Sequence, residues 1–68
     1  MARFAIAQQV RAVHGPGRAL QPERKNIGRV GRVLQVHPVQ SAEPHYIVAF
    51  GDDTDTIDES CLEIHHAS

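Results

Sequence analysis

Asp52, Asp53, Asp55, Asp58, Glu59 and Glu63 place six of the chain's eight carboxylates inside "FGDDTDTIDESCLEI", residues 50–64. Oxygen ligands this dense raise the question of a calcium loop. Spacing answers against it. Counted from Asp52, Ile57 falls where the loop requires Gly. Counted from Asp53, Ile64 falls where the closing carboxylate belongs. The adjacent pair Asp58 and Glu59 raises acid–base chemistry, which needs a cleft that shifts a pKa. Here the pair falls in "DESC", a polar stretch suited to an exposed 3-10 turn. Five histidines, His14, His37, His45, His65 and His66, raise a metal site. None stands at the i, i+4 spacing of a helical site, and no second cysteine accompanies Cys61. His65 and His66 are adjacent, so on a strand they point to opposite faces. A site shared between subunits escapes this argument. A lone thiol forms no disulfide within the chain and behaves as a small buried hydrophobe. No nucleophile–base pattern has supporting context. The sequence therefore predicts no catalytic residue, no metal ligand and no cofactor.

The net charge of −1 hides a division. Residues 1–34 carry Arg3, Arg11, Arg18, Arg24, Lys25, Arg29 and Arg32 against Glu23 alone, a net +6. Residues 35–68 contain no Lys or Arg and seven carboxylates, a net −7. Either the halves fold against each other and neutralise locally, or a bipolar surface binds a charged partner or a second copy. The aromatic residues are Phe4, Tyr46 and Phe50, with no Trp. That is too few for a proline-peptide groove, a methyl-lysine cage or a base-stacking platform.

The elements that must position these residues are short. Four Pro and five Gly leave no room for a long helix. β-rich runs lie between the breaks: "QQVRAVH", "GRVGRVLQV", "HYIVAF", "TDTI" and "CLEI". In "HYIVAF", Tyr46, Val48 and Phe50 alternate with Ile47 and Ala49. "GPGRALQPERKNIG", residues 15–28, is a long polar loop of the kind that often carries function. It is not a phosphate loop, because it lacks Gly-Lys-Ser/Thr. "HPVQSAEP", residues 37–44, is a medium loop, and "GDDT", residues 51–54, a hairpin turn. The expected core is Val10, Val13, Val33, Val36, Val48, Phe50, Ile57 and Leu62, with Ile64 at its margin. Residues 1–68 read as one domain, with 1–7 a loose N-terminal arm and 65–68 a loose tail. No segment has the length and apolarity of a membrane span or a signal sequence. With a single cysteine, that reads as a cytoplasmic protein without membrane partners.

The order strand, long loop, strand, medium loop, strand, tight turn, strand, 3-10 turn, strand resembles the SH3-like barrel superfamily. The motifs that carry the resemblance are "GRVGRVLQV", "YIVAFGDD" and "IDESCLE", and it covers about residues 8–64. It implies an all-β, five-stranded SH3-like barrel with a 3-10 turn before the last strand. Two members bear on function. The type II plasmid dihydrofolate reductases are small barrels of this kind, tetrameric around a pore. Their Val-Gln-Ile-Tyr-Pro motif is replaced here by Asp55-Thr56-Ile57-Asp58-Glu59, which lacks the functional Gln and Tyr. "GRVGRVLQVHP" and "PHYIVAFGD" also resemble the C-terminal barrel of the nitrile hydratase β subunit. There the metal sits on the other subunit, so this likeness implies a scaffold or partner-binding role.

These observations converge on a non-enzymatic protein-interaction module, an accessory or regulatory subunit that self-associates as a homodimer or higher oligomer. The expected contact residues are Arg18, Arg24, Lys25, Arg29 and Arg32, with Tyr46 as an exposed anchor. A nucleic-acid backbone binder using the basic loop and second strand is the second reading. An oligomeric enzyme with its site between subunits is the third.

Overall fold

The computed structural model describes residues 2–39 and 43–66. The chain is all-β. Among these residues, five antiparallel strands form one sheet: β1 (Gln9–Ala12), β2 (Val30–His37), β3 (His45–Phe50), β4 (Asp53–Asp58) and β5 (Leu62–Ile64). Their order across the sheet is β4-β3-β2-β1-β5. A 3-10 turn, Glu59–Cys61, precedes β5 as the sequence indicates, and a second one, Arg24–Asn26, lies in the long loop. Among the described residues, no helix is long and apolar enough to cross a membrane.

Alternation decides what is inside. Tyr46, Val48 and Phe50 are buried, while Ile47 and Ala49 are half-buried on the opposite face. In β2, Val33 opposes Val48 and Val36 opposes Tyr46. Positions three apart cannot share a face of a regular strand. A bulge between Val33 and Gln35 resolves this, displacing Leu34 to solvent and returning Val36 to the core side. The β3–β4 hairpin closes through Gly51 and Asp52. Gly51 has φ +67 while Asp52 has none of this left-handed character, the pattern of a type II′ turn.

Of the expected core, Val10, Val33, Val48, Phe50, Ile57 and Leu62 are buried. Val13 and Val36 are half-buried, and Ile64 is 41% exposed on the short last strand. Phe4, Ala12, Tyr46 and Cys61 complete the core.

Tyr46 corrects the expectation of an exposed anchor. The same alternation that buries Val48 and Phe50 places it between them and the N-terminal arm. Its ring meets Phe4 edge-on, with centroids 5.3 Å apart at 68°. Its hydroxyl donates to Glu59 Oε2 at 2.6 Å and accepts from the backbone N–H groups of Arg3 and Phe4 at 3.2 and 3.3 Å. The phenol is thus buried and fully partnered. Burial, then the Glu59 carboxylate, push its pKa above the usual tyrosine value.

The arm is likewise docked rather than loose. Phe4 is buried, the Ala7 N–H donates to Val33 O at 2.8 Å, and the Val33 N–H donates to Gln8 O at 3.0 Å. Of the expected loose tail, the His65 N–H donates to Gln9 O at 3.2 Å. Residues 67 and 68 lie outside the described residues.

Gly31 faces the core beneath Phe50. A Cβ there would lie 2.6 Å from Ala49 O and 2.8 Å from Phe50 Cε1. Backbone on one side leaves little room to yield. Gly31→Ala is therefore expected to cost about 1–3 kcal/mol as overpacking, read as a lower urea midpoint at unchanged slope.

Candidate functional site

Strand β4 ends the sheet, and an edge strand exposes unpaired backbone groups. Its cross-strand partners place Asp55 opposite Val48 and Asp53 opposite Phe50, so both carboxylates share the core-side face. Inward-facing charges on an edge strand need partners. The long loop supplies them.

Among the described residues, Asn26 is the one fully buried polar residue. Its Nδ2 donates to Asp53 Oδ2 and to Asp55 Oδ2, each at 3.2 Å. Its Oδ1 accepts from Arg29 Nη1 at 3.1 Å. The Glu23 N–H donates to Asp55 Oδ2 at 2.7 Å. Further along, the Leu20 N–H donates to Asp58 Oδ2 at 2.9 Å, and the Asp58 N–H donates back to Leu20 O at 3.0 Å. Lys25 Nζ lies 3.4 Å from both Glu23 Oε2 and Asp53 Oδ2. The Asn26 hydrogen bond, reinforced by Lys25, holds the Asp53 carboxyl below its ordinary pKa. Asp53, then Glu23, hold the Lys25 ammonium above its own. At the loop's start, Gln21 binds Gly15 through both amide groups, its Oε1 accepting from Gly15 N at 3.0 Å. Cys61 lies beneath these residues, buried, and burial pushes its thiol pKa up.

The acidic run of residues 50–64 is therefore mostly structural. Six carboxylates take partners within the fold: the four already placed here, Glu59 at the arm, and Glu43, whose Oε1 accepts from Ser60 N at 2.6 Å.

The expected contact residues separate. Arg18 and Arg24 are exposed on the long loop. Lys25 is ion-paired at the loop–β4 seam, and Arg29 lies beside it, 5.8 Å from the Phe50 ring centroid. Arg32 stands on the outer face of the sheet, opposite Gln9 and Ala49. Arg11 pairs with Val30 two positions away, making Arg11 and Arg32 diagonal neighbours on that face. Arg11 Nη1 also donates to Gly28 O at 3.0 Å. Arg11 lies outside the contact set expected from sequence. Its signal was the alternation Gln9, Arg11 around buried Val10. Tyr46, being buried, drops out of the set.

Among the described residues, ion pairs form at Lys25 alone, and no arginine lies within ion-pair distance of a carboxylate. No group of three or more His, Cys, Asp or Glu among them is placed to hold a metal, and no pocket indents their surface.

Asn26→Ala is expected to cost about 1.5–3 kcal/mol, because it strips charged acceptors of a donor. Chemical denaturation measures the loss. The depressed Asp53 pKa sets a pH sign. Its stabilising contribution is complete above the ordinary Asp value of about 3.9 and is lost as pH falls through the lower folded value. Acid unfolding should be shallower in Asp53→Asn than in the native chain, followed by circular dichroism from pH 6 downward.

Comparison of the chain with protein-family models, with curated proteins and with solved structures finds no match.

Proposed function

We propose that this chain is a small non-enzymatic protein-interaction module of SH3-like build, acting in the cytoplasm as an accessory or regulatory subunit and self-associating. One observation carries the reading: carboxylates and arginines are used differently. Six of the eight carboxylates take internal partners. The arginines have no carboxylate at ion-pair distance among the described residues. Arg18, Arg24 and Arg32 are exposed, and Arg11 is half-buried on the sheet face beside Arg32. A guanidinium fork is suited to bidentate capture of a carboxylate. Between Arg32 and the two threonines of β4, the outer face offers Ala49 and Ile47 with little charge. A second copy brings Asp52 on the hairpin tip and Glu63 on β5, carboxylates without a partner among the described residues. An isologous dimer is the default geometry.

A polyanionic backbone could engage the same diagonal pair Arg11 and Arg32, which supports nucleic-acid binding as the second reading. The seven carboxylates of residues 35–68 weigh against it by repelling phosphate.

Light scattering after size exclusion separates these readings. The expected result is a mass above the 7.5 kDa monomer at low salt, falling toward it as salt rises. Arg11→Ala combined with Arg32→Ala should give a monomer at low salt, with unchanged far-ultraviolet circular dichroism. A monomer under every condition overturns self-association. Retention of duplex DNA at low salt with steep loss on adding salt favours the second reading.

A further inference from the structure

The register of β2 against β3 sets His37 opposite His45, a proximity that spacing along the chain does not show. Both rings are half-buried and stacked, with centroids 5.0 Å apart and planes at 11°. His37 Nε2 lies 2.9 Å from Gln35 Oε1. An amide oxygen only accepts, so in the neutral ring Nε2 carries the proton and Nδ1 presents its lone pair. Metal-binding imidazoles are oriented in this way, by an acceptor on the nitrogen that does not bind. Asp58 continues the row as the cross-strand partner of His45.

We propose that His37 and His45 form a bidentate imidazole site for a divalent transition metal, with water or a partner's group filling the remaining positions. Metal–nitrogen bonds of about 2.0–2.1 Å require the two nitrogens to approach to about 3 Å. The stacked rings reach this by turning about χ2, a broad torsion with a small barrier. The paired strands meanwhile hold the two Cβ atoms in register. Two neutral imidazoles suit Cu(II), Ni(II) and Zn(II), and the order of intrinsic affinities places Cu(II) first. No carboxylate-rich cage surrounds the pair, so hard cations such as calcium are excluded by ligand type. With two protein ligands the metal exchanges readily. Because it bridges β2 and β3, it also clamps the mouth of the loop between them. Gln35 is a positioning residue.

The test is calorimetric titration of the untagged chain with Cu(II) and Ni(II) chloride in a non-coordinating buffer. One equivalent should bind, with Cu(II) tighter than Ni(II). His37→Ala and His45→Ala should each weaken binding about tenfold or more. A chain carrying His14→Ala, His65→Ala and His66→Ala together should retain it. Gln35→Ala should weaken binding, and Gln35→Glu, which keeps the acceptor, should restore it. Unchanged affinity in His37→Ala or His45→Ala overturns the proposal, as does loss of binding in the triple variant. Proton NMR of the native chain gives a check that needs no variant. Substoichiometric Cu(II) should broaden the ring signals of His37 and His45 first, and broadening led by His65 and His66 overturns the site.

Discussion

The fold depends on one buried side-chain amide. Asn26 stands between the long loop and strand β4, giving both Nδ2 hydrogens to Asp53 and Asp55 and taking one from Arg29. Without it, two carboxylates on the core side of an edge strand would lack their shared donor. The loop in turn would lose the group that seats it. The Asn26 N–H itself donates to Glu23 O at 2.8 Å, closing the 3-10 turn that delivers the amide. The loop also meets the β4 edge at one backbone group, where the Asp58 N–H donates to Leu20 O at 3.0 Å.

The same pattern recurs at the other end of the chain. Glu59 accepts from the Arg3 N–H at 3.0 Å and from the Tyr46 hydroxyl, holding the N-terminal arm over the core. In both places a carboxylate from the second half receives a neutral donor from the first. The opposite halves of +6 and −7 therefore fold together, yet they do so chiefly through amide and hydroxyl hydrogen bonds. Lys25 is the exception. A fold that satisfies its acids with neutral donors leaves its arginines available.

Much of the fold was legible because period-two alternation is a strong signal in strands of this length. "HYIVAF" corresponds to β3 residue for residue, and "DESC" contains the 3-10 turn. Gly51-Asp52 was legible as a turn because only Gly fits the left-handed position without strain. Tyr46 is buried against expectation because strand alternation outweighs the preference of its residue type for interfaces. Val33 and Val36 could both be placed inside only through a bulge, which spacing implied but did not locate. Phe4 carries no such signal, because a seven-residue arm has no period of its own. Asn26 was missed for a different reason. A single Asn in a polar loop looks like any turn residue until tertiary structure brings Asp53 and Asp55 to it, 27 and 29 positions away. His37 and His45 are separated in the same way by a loop.

The difference between the two kinds of polar contact has a consequence for salt. Hydrogen bonds from neutral N–H groups to carboxylates act at contact distance, where ions do not intervene. Guanidinium attraction to a partner across solvent is screened within a Debye length, about 8 Å at physiological ionic strength. Raising salt thus weakens what the arginines do outside the molecule far more than what the carboxylates do within it. Salt that would release a partner of the proposed kind therefore leaves the internal hydrogen bonds in place, because the acids answer to short-range donors and the exposed arginines to long-range charge.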